Sequence, residues 1–172
     1  MLAVMGIGYR GYRPARPVGE RCSHAMIAHD GRPDNQWRFE IQALRSEMAA
    51  LRDNNLDPRL SWAQHLDYWQ KLTLLIGRAR YGVLKITDGP DAEAKVLRDV
   101  ILELRPVLDS DRPAFGKRPR RLRLYYGEPD VPIYSLLALH LDTKEADGQG
   151  LDEQNVAIDE ALRRAEEWAA AA

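Results

Sequence analysis

The sequence predicts an α+β domain, a small antiparallel β-sheet with two N-terminal helices packed on it and a C-terminal helix, in the order β-α-α-β-β-β-α. Three observations carry this. Apolar residues recur at helical spacing between residues 42 and 82. They alternate with period two in stretches between 99 and 141. An alanine-rich helical pattern then closes the chain from Leu151. At 172 residues, 45% hydrophobic and 30% charged, the chain suits one core with appendages. Its one cysteine, Cys22, cannot bridge within the chain, and no apolar run approaches the roughly 20 residues that span a bilayer. These features point to a reducing, cytoplasmic setting without a secretory leader.

Residues 1–35 read as a flexible arm and residues 36–172 as the folded domain. The arm is rich in Gly, Pro and Arg, with the breaker string Tyr12-Arg13-Pro14-Ala15-Arg16-Pro17 and no periodic apolar face. It holds two decoys. Gly6-Ile7-Gly8-Tyr9-Arg10-Gly11 fits a phosphate-cradling GxGxxG, but that turn needs a helix straight after it and prolines follow. Cys22, His24 and His29 are one ligand short of a structural zinc site. No metal or other cofactor is expected.

In the domain, Trp37, Phe39 and Ile41 alternate with Arg38 and Glu40, as in a short strand. Leu44, Met48 and Leu51 then mark a helix up to Asn54-Asn55. Ser61, after Asp57-Pro58, caps a longer helix reaching about Gly82, with Leu66, Trp69, Leu72 or Thr73, and Ile76 as its buried stripe and Trp62 and Trp69 as core anchors. After Asp88-Gly89-Pro90, strands are expected over 99–108, 121–126 and 131–141, the last apolar on both faces as a central strand would be. The connection Gly127-Glu128-Pro129-Asp130 makes the last two strands antiparallel neighbours. The closing helix turns Ile158, Leu162 and Ala165 to one side, with Asp152 as its cap.

Charge is unevenly spread. Residues 141–172 carry three basic and nine acidic side chains, whereas Arg112, Lys117, Arg118, Arg120, Arg121 and Arg123 fall within twelve residues without an acid. If Leu102, Leu104, Leu122 and Leu124 face the helices, alternation sends Arg105, Arg121, Arg123 and Tyr125 to the opposite sheet face. Tyr134 and His140 share a parity on the last strand. Cations and aromatic rings on an open sheet face suit RNA, the cations meeting phosphates and the rings stacking on bases. The same set also suits an arginine-solvated sheet with cross-strand tyrosine packing.

Four segments resemble the RelE/HigB toxin family of type II toxin–antitoxin systems. The run Lys95-Val96-Leu97-Arg98-Asp99-Val100-Ile101-Leu102-Glu103-Leu104-Arg105 resembles its K-x-L-x-[DG]-x-[LI]-x-E-L-R segment. Arg123-Leu124-Tyr125-Tyr126 resembles its R-[VL]-L-[YF] strand, Leu139-His140 with Lys144 its L-H-x-x-x-K strand end, and Ile158, Ala161 and Arg164 its I-x-x-A-x-x-R helix. The strand and two helices before Lys95 fit the family's β-α-α opening, so the similarity covers roughly residues 37–168. The resemblance implies a ribosome-dependent mRNA endonuclease (interferase) that cuts by 2′-hydroxyl attack without metal, with a cognate antitoxin, the ribosome and mRNA as partners. It assigns Arg105 and Arg123 to the scissile phosphate, Lys95 and Lys144 to the flanking backbone, and His140 to acid–base work or to a strand-end hydrogen bond. Arg121, Lys117, Arg118, Arg120 and Tyr125 join the expected RNA-binding surface. A homodimer or a toxin–antitoxin heterocomplex is expected, with no membrane. The same fold also admits a gyrase-inhibiting ParE-like toxin and a non-catalytic binding protein. Acids in Lys144-Glu145-Ala146-Asp147, and the -6 of the tail, favour the last of these.

Overall fold

The computed structural model describes residues 35–57, 59–98, 101–108, 120–129, 135–145 and 150–171. The elements run β1 (Gln36–Arg38), α1 (Gln42–Arg52), α2 (Trp62–Arg80), β2 (Ala94–Leu97), β3 (Ile101–Leu104), β4 (Arg120–Gly127), β5 (Ser135–Glu145) and α3 (Gly150–Ala171). The order is thus β-α-α-β-β-β-β-α, one strand more than the sequence pattern implies. The expected arm lies outside the described residues apart from Asn35. That residue is buried, its N–H bonding Arg80 O at 2.8 Å and its side chain Ala79 O at 3.2 Å.

Both N-terminal helices have well-defined ends. Ser61 caps α2 with a capping box, its side chain accepting from the Gln64 N–H while Gln64 reaches back to the Ser61 N–H. At the other end Gly82, at φ +64°, donates to Ala79 O, and Val83 donates to Arg78 O. This six-to-one closure satisfies carbonyls that the helix cannot reach. Asn54, at φ +53°, does the same for α1: its N–H meets Leu51 O and that of Asn55 meets Ala50 O. Asparagine is the non-glycine residue best suited to that conformation.

The five strands lie in the order β1-β5-β4-β3-β2. β2–β3, β3–β4 and β4–β5 pair antiparallel, as the hairpin signal predicts for the last two, but β1 joins the outer side of β5 in parallel, Trp37 opposite Leu136. The sheet is therefore mixed. β5 lies between two strands and is buried along most of its length, as its continuous apolar run implies.

Helices cover both faces, and this overturns the expectation of an open face. Leu102, Leu104, Leu122, Leu124 and Tyr126 pack with Leu44 and Leu51 of α1 and Tyr68, Leu72 and Leu75 of α2. On the other side Ile101, Tyr125, Leu137 and Leu139 pack against Ala157, Ile158, Ala161 and Ala165 of α3. Three alanines at helical spacing let α3 approach closely. Gly150 starts it where a Cβ would stand 2.1 Å from the Glu145 carbonyl oxygen.

The buried face of α2 is also rotated from the expected stripe. It consists of His65, Tyr68, Leu72, Leu75 and Ala79, whereas Trp62 is 71% and Leu66 46% exposed. Trp69 and Ile76 sit at its margin, partly buried against the core. Two polar-tipped aromatics thus hold positions that the apolar count passes over. Among the described residues no helix is long and apolar enough to cross a membrane.

Candidate nucleic-acid interface

Alternation along β4 turns Arg121, Arg123 and Tyr125 toward the α3 side. The register sets Lys144, Asp142 and His140 of β5 directly opposite them. Arg105 follows β3 immediately after Leu104, whose partner Leu124 adjoins Arg123. Its N–H bonds Glu93 O at 2.9 Å, and its guanidinium meets Gly89 O at 3.4 Å. Arg105, Arg121 and Arg123 therefore share one face, as the sequence pattern implies, and the register adds Lys144 and His140 to it. They differ sharply in what surrounds them.

Arg123 is internal. It is 2% exposed and ion-pairs through Nε with Glu103, itself 1% exposed. The contact is electrostatic without an aligned hydrogen bond from Nε, while Nη1 donates to Leu122 O at 2.7 Å. Burial pulls the Arg123 pKa below the ordinary arginine value against the opposing charge of Glu103. A guanidinium so placed under α3 holds strands together and is closed to a phosphate in this conformation.

Glu103 extends the network outward. Gln154 of α3 donates to its other oxygen, and Lys144 Nζ donates to Gln154 Oε1 at 2.7 Å. Lys144 is half-buried. Burial, together with the positive charges of Arg123, Arg105 and Arg121, outweighs Glu103 and holds its pKa below the usual lysine value. Arg121 and Lys144 are direct cross-strand partners, an arrangement of like charges that a sheet ordinarily avoids. The partly exposed Arg105, Arg121 and Lys144 thus form a cationic cluster around a single buried acid.

His140 belongs to a separate arrangement at the free edge of β5, beyond the reach of β1. Glu47 of α1 takes the place of a neighbouring strand there: it accepts the Leu141 N–H at 2.8 Å and meets His140 Nδ1 at 3.0 Å. Arg164 of α3 completes the edge, donating to Leu139 O at 2.8 Å and to Glu47. Asp142 lies 3.8 Å from His140 Nε2. Burial alone would lower the His140 pKa, but the two carboxylates prevail and push it up to about 9. At neutral pH the ring is cationic and held on both sides, which favours a structural ion pair over acid–base chemistry. His140 lies in the middle of β5, and carboxylates rather than backbone groups hold it, so the expected strand-end hydrogen bond is not formed.

The remaining expected contacts are also engaged. Tyr125 is buried, stacked on His140 with centroids 6.0 Å apart, and burial pushes its phenol pKa up. Arg120 bonds Thr143 O at 2.6 Å and pairs with Glu153 at 3.2 Å, fastening the start of α3 to the sheet. Lys95 pairs with Asp88 at 3.2 Å on the surface of β2. Lys117, Arg118 and Tyr134 lie outside the described residues. Glu47, Glu103, Gln154 and Arg164 organise the site although the sequence assigns them no role in it; Glu103 and Arg164 stand in the segments that carry the resemblance, and Glu103 also shares with Arg123 the parity of neighbouring strands. Among the described residues no group of three or more His, Cys, Asp or Glu could hold a metal ion. No family model matches the sequence, and neither curated proteins nor solved structures give a match.

Proposed function

We propose that this chain is a RelE/HigB-like toxin that cleaves mRNA on the ribosome and is neutralised by a cognate antitoxin, with Arg105, Arg121 and Lys144 facing the RNA backbone. The observation that supports this reading best is the gathering of three arginines around Lys144, two of the four being direct cross-strand neighbours. Like charges opposed on a sheet cost roughly 0.2–1 kcal/mol per pair. A phosphate seated among them relieves that cost and gains charge-assisted hydrogen bonds.

In the proposed chemistry the depressed lysine supplies the base. Lys144, whose pKa burial and the neighbouring arginines hold below the usual lysine value, takes the proton from the ribose 2′-hydroxyl. The oxygen attacks the adjacent phosphorus, the growing charge on the phosphorane is met by Arg105 and Arg121, and the P–O5′ bond breaks to leave a 2′,3′-cyclic phosphate while the departing 5′-oxygen takes a proton from water. Arg123 is a positioning residue in this scheme, since it fixes Glu103, which fixes Gln154, which holds Lys144 Nζ. His140 holds the free edge of β5 between Glu47 and Asp142.

A second reading, a non-catalytic binding protein of the same fold, is favoured by the enclosure of Arg123 under α3. Purified chain incubated with translating ribosomes and a defined mRNA separates the two. Cleavage that Arg121→Ala and Lys144→Ala each reduce at least a hundredfold, without loss of folding, supports the nuclease. RNA binding that is salt-sensitive and unaccompanied by cleavage supports the binding protein.

A further inference from the structure

The outer face of α2 has no place in the reading above. At about 100° per residue, Trp62, Leu66, Gln70, Thr73, Leu74 and Gly77 fall on the side of the helix opposite its buried stripe. Trp62 is 71%, Leu66 46% and Leu74 62% exposed. No charged side chain interrupts this stripe between Trp62 and Gly77. A helix face turned to solvent ordinarily carries charge.

Gly77 is the second observation. Glycine weakens a helix interior relative to alanine, and nothing among the described residues calls for it. A Cβ built there meets no atom within 4 Å. The fold leaves a notch on an apolar stripe at one end and a protruding indole at the other, roughly 22 Å apart along the axis.

We propose that this face pairs with a second copy of the chain, α2 against α2, antiparallel about a two-fold axis near residues 69–70. The stripe is self-complementary only in that direction. Trp62 of one copy then enters the notch at Gly77 of the other, and Leu66 meets Thr73 and Leu74. Asp67 borders the stripe, whereas Lys71 is turned away from it, its Nζ donating to Val107 O. A two-fold interface of this kind brings the same patch from both subunits. The stripe contains none of Arg105, Arg121 and Lys144, so the pairing stands or falls independently of the RNA reading.

Sedimentation velocity of the full chain from low micromolar to several hundred micromolar tests the proposal. The parent should pass from monomer to dimer over that range. Leu66→Glu and Gly77→Arg should each raise the dimer dissociation constant at least tenfold while circular dichroism and melting stay those of a folded protein. Gly77→Ala should raise the melting temperature of the monomer yet weaken the dimer. A chain carrying Trp62→Cys and Gly77→Cys, with Cys22→Ser, should oxidise to a covalent dimer joined between positions 62 and 77. A parent that stays monomeric throughout overturns the proposal, as does a dimer indifferent to both charged variants. Linkage of position 62 only to position 62 overturns the antiparallel register.

Discussion

Replacing Arg123 should damage the fold before it can report on any reaction. Arg123→Ala removes one member of an ion pair whose members are 2% and 1% exposed, leaving the Glu103 carboxylate with Gln154 as its hydrogen-bonding neighbour. Breaking a buried pair in this way costs about 3–5 kcal/mol, because the remaining charge stays desolvated. Against the 5–15 kcal/mol by which domains are ordinarily stable, that is a large fraction. With a urea slope of roughly 2 kcal/mol/M, the unfolding midpoint should fall by about 1.5–2.5 M. Removing both charges at once, Arg123→Met with Glu103→Met, should bring the midpoint back to within about 0.5 M of the parent, since apolar replacements of buried pairs are often neutral or better. The argument fails if Arg123→Ala unfolds with the parent. It fails equally if the double variant is as unstable as the single one.

Two further outcomes follow from buried ring nitrogens. His140 has a folded-state pKa pushed up to about 9, above the unfolded value of about 6.5, so its stabilising contribution is whole below about pH 6.5 and is lost as pH rises through about 9. Melting measured between pH 6.5 and 9.5 should show a loss of up to about 3 kcal/mol, flattened in His140→Gln; a parent with constant stability over that interval contradicts the Glu47–His140–Asp142 arrangement. His65 is buried on α2 with neither ring nitrogen bonded among the described residues. His65→Leu should therefore raise stability by about 1 kcal/mol, a gain of roughly 2–4 °C in melting temperature, and a lower melting temperature would show that the imidazole is needed there.

What the sequence discloses and what it withholds divide along physical lines. The helices were legible because caps and periodicity are local: Ser61 with Gln64, Asn54 and Gly82 act within a few residues of themselves. Alternation assigned Arg105, Arg121 and Arg123 to one face for the same reason. Which face a later helix covers is not local. Alternation defines two sides of a sheet and is silent about α3, although Ala157, Ala161 and Ala165 form the small-residue stripe that close packing needs. The strand Ala94–Leu97 escaped because four residues at a sheet edge carry too little pattern. The parallel partner of β5 escaped because no spacing in Trp37–Ile41 says beside what it will lie. On α2, counting only apolar residues set the stripe one step away from the buried series, since His65 and Tyr68 do not register as core. The burial of Arg123 has a signal in hindsight, an acid at the matching parity on the adjacent strand.

The parallel pairing of β1 with β5 also orders events during synthesis. Gln36 pairs with Ser135, so the first strand waits about a hundred residues for its neighbour, and at ribosomal speeds of roughly 5–20 residues per second that takes several seconds. Through that interval α1 and α2 have emerged with apolar faces and no sheet to cover them, because β4 and β5 supply most of the surface on which they rest. Glu47 likewise has neither Leu141 nor Arg164 to bind until β5 and α3 are made. Such a nascent chain is exposed to chaperones and proteases until β5 and α3 are translated, and truncation before β5 should yield no smaller folded version of the domain. The protein acquires its structure, and anything that depends on it, in one late step.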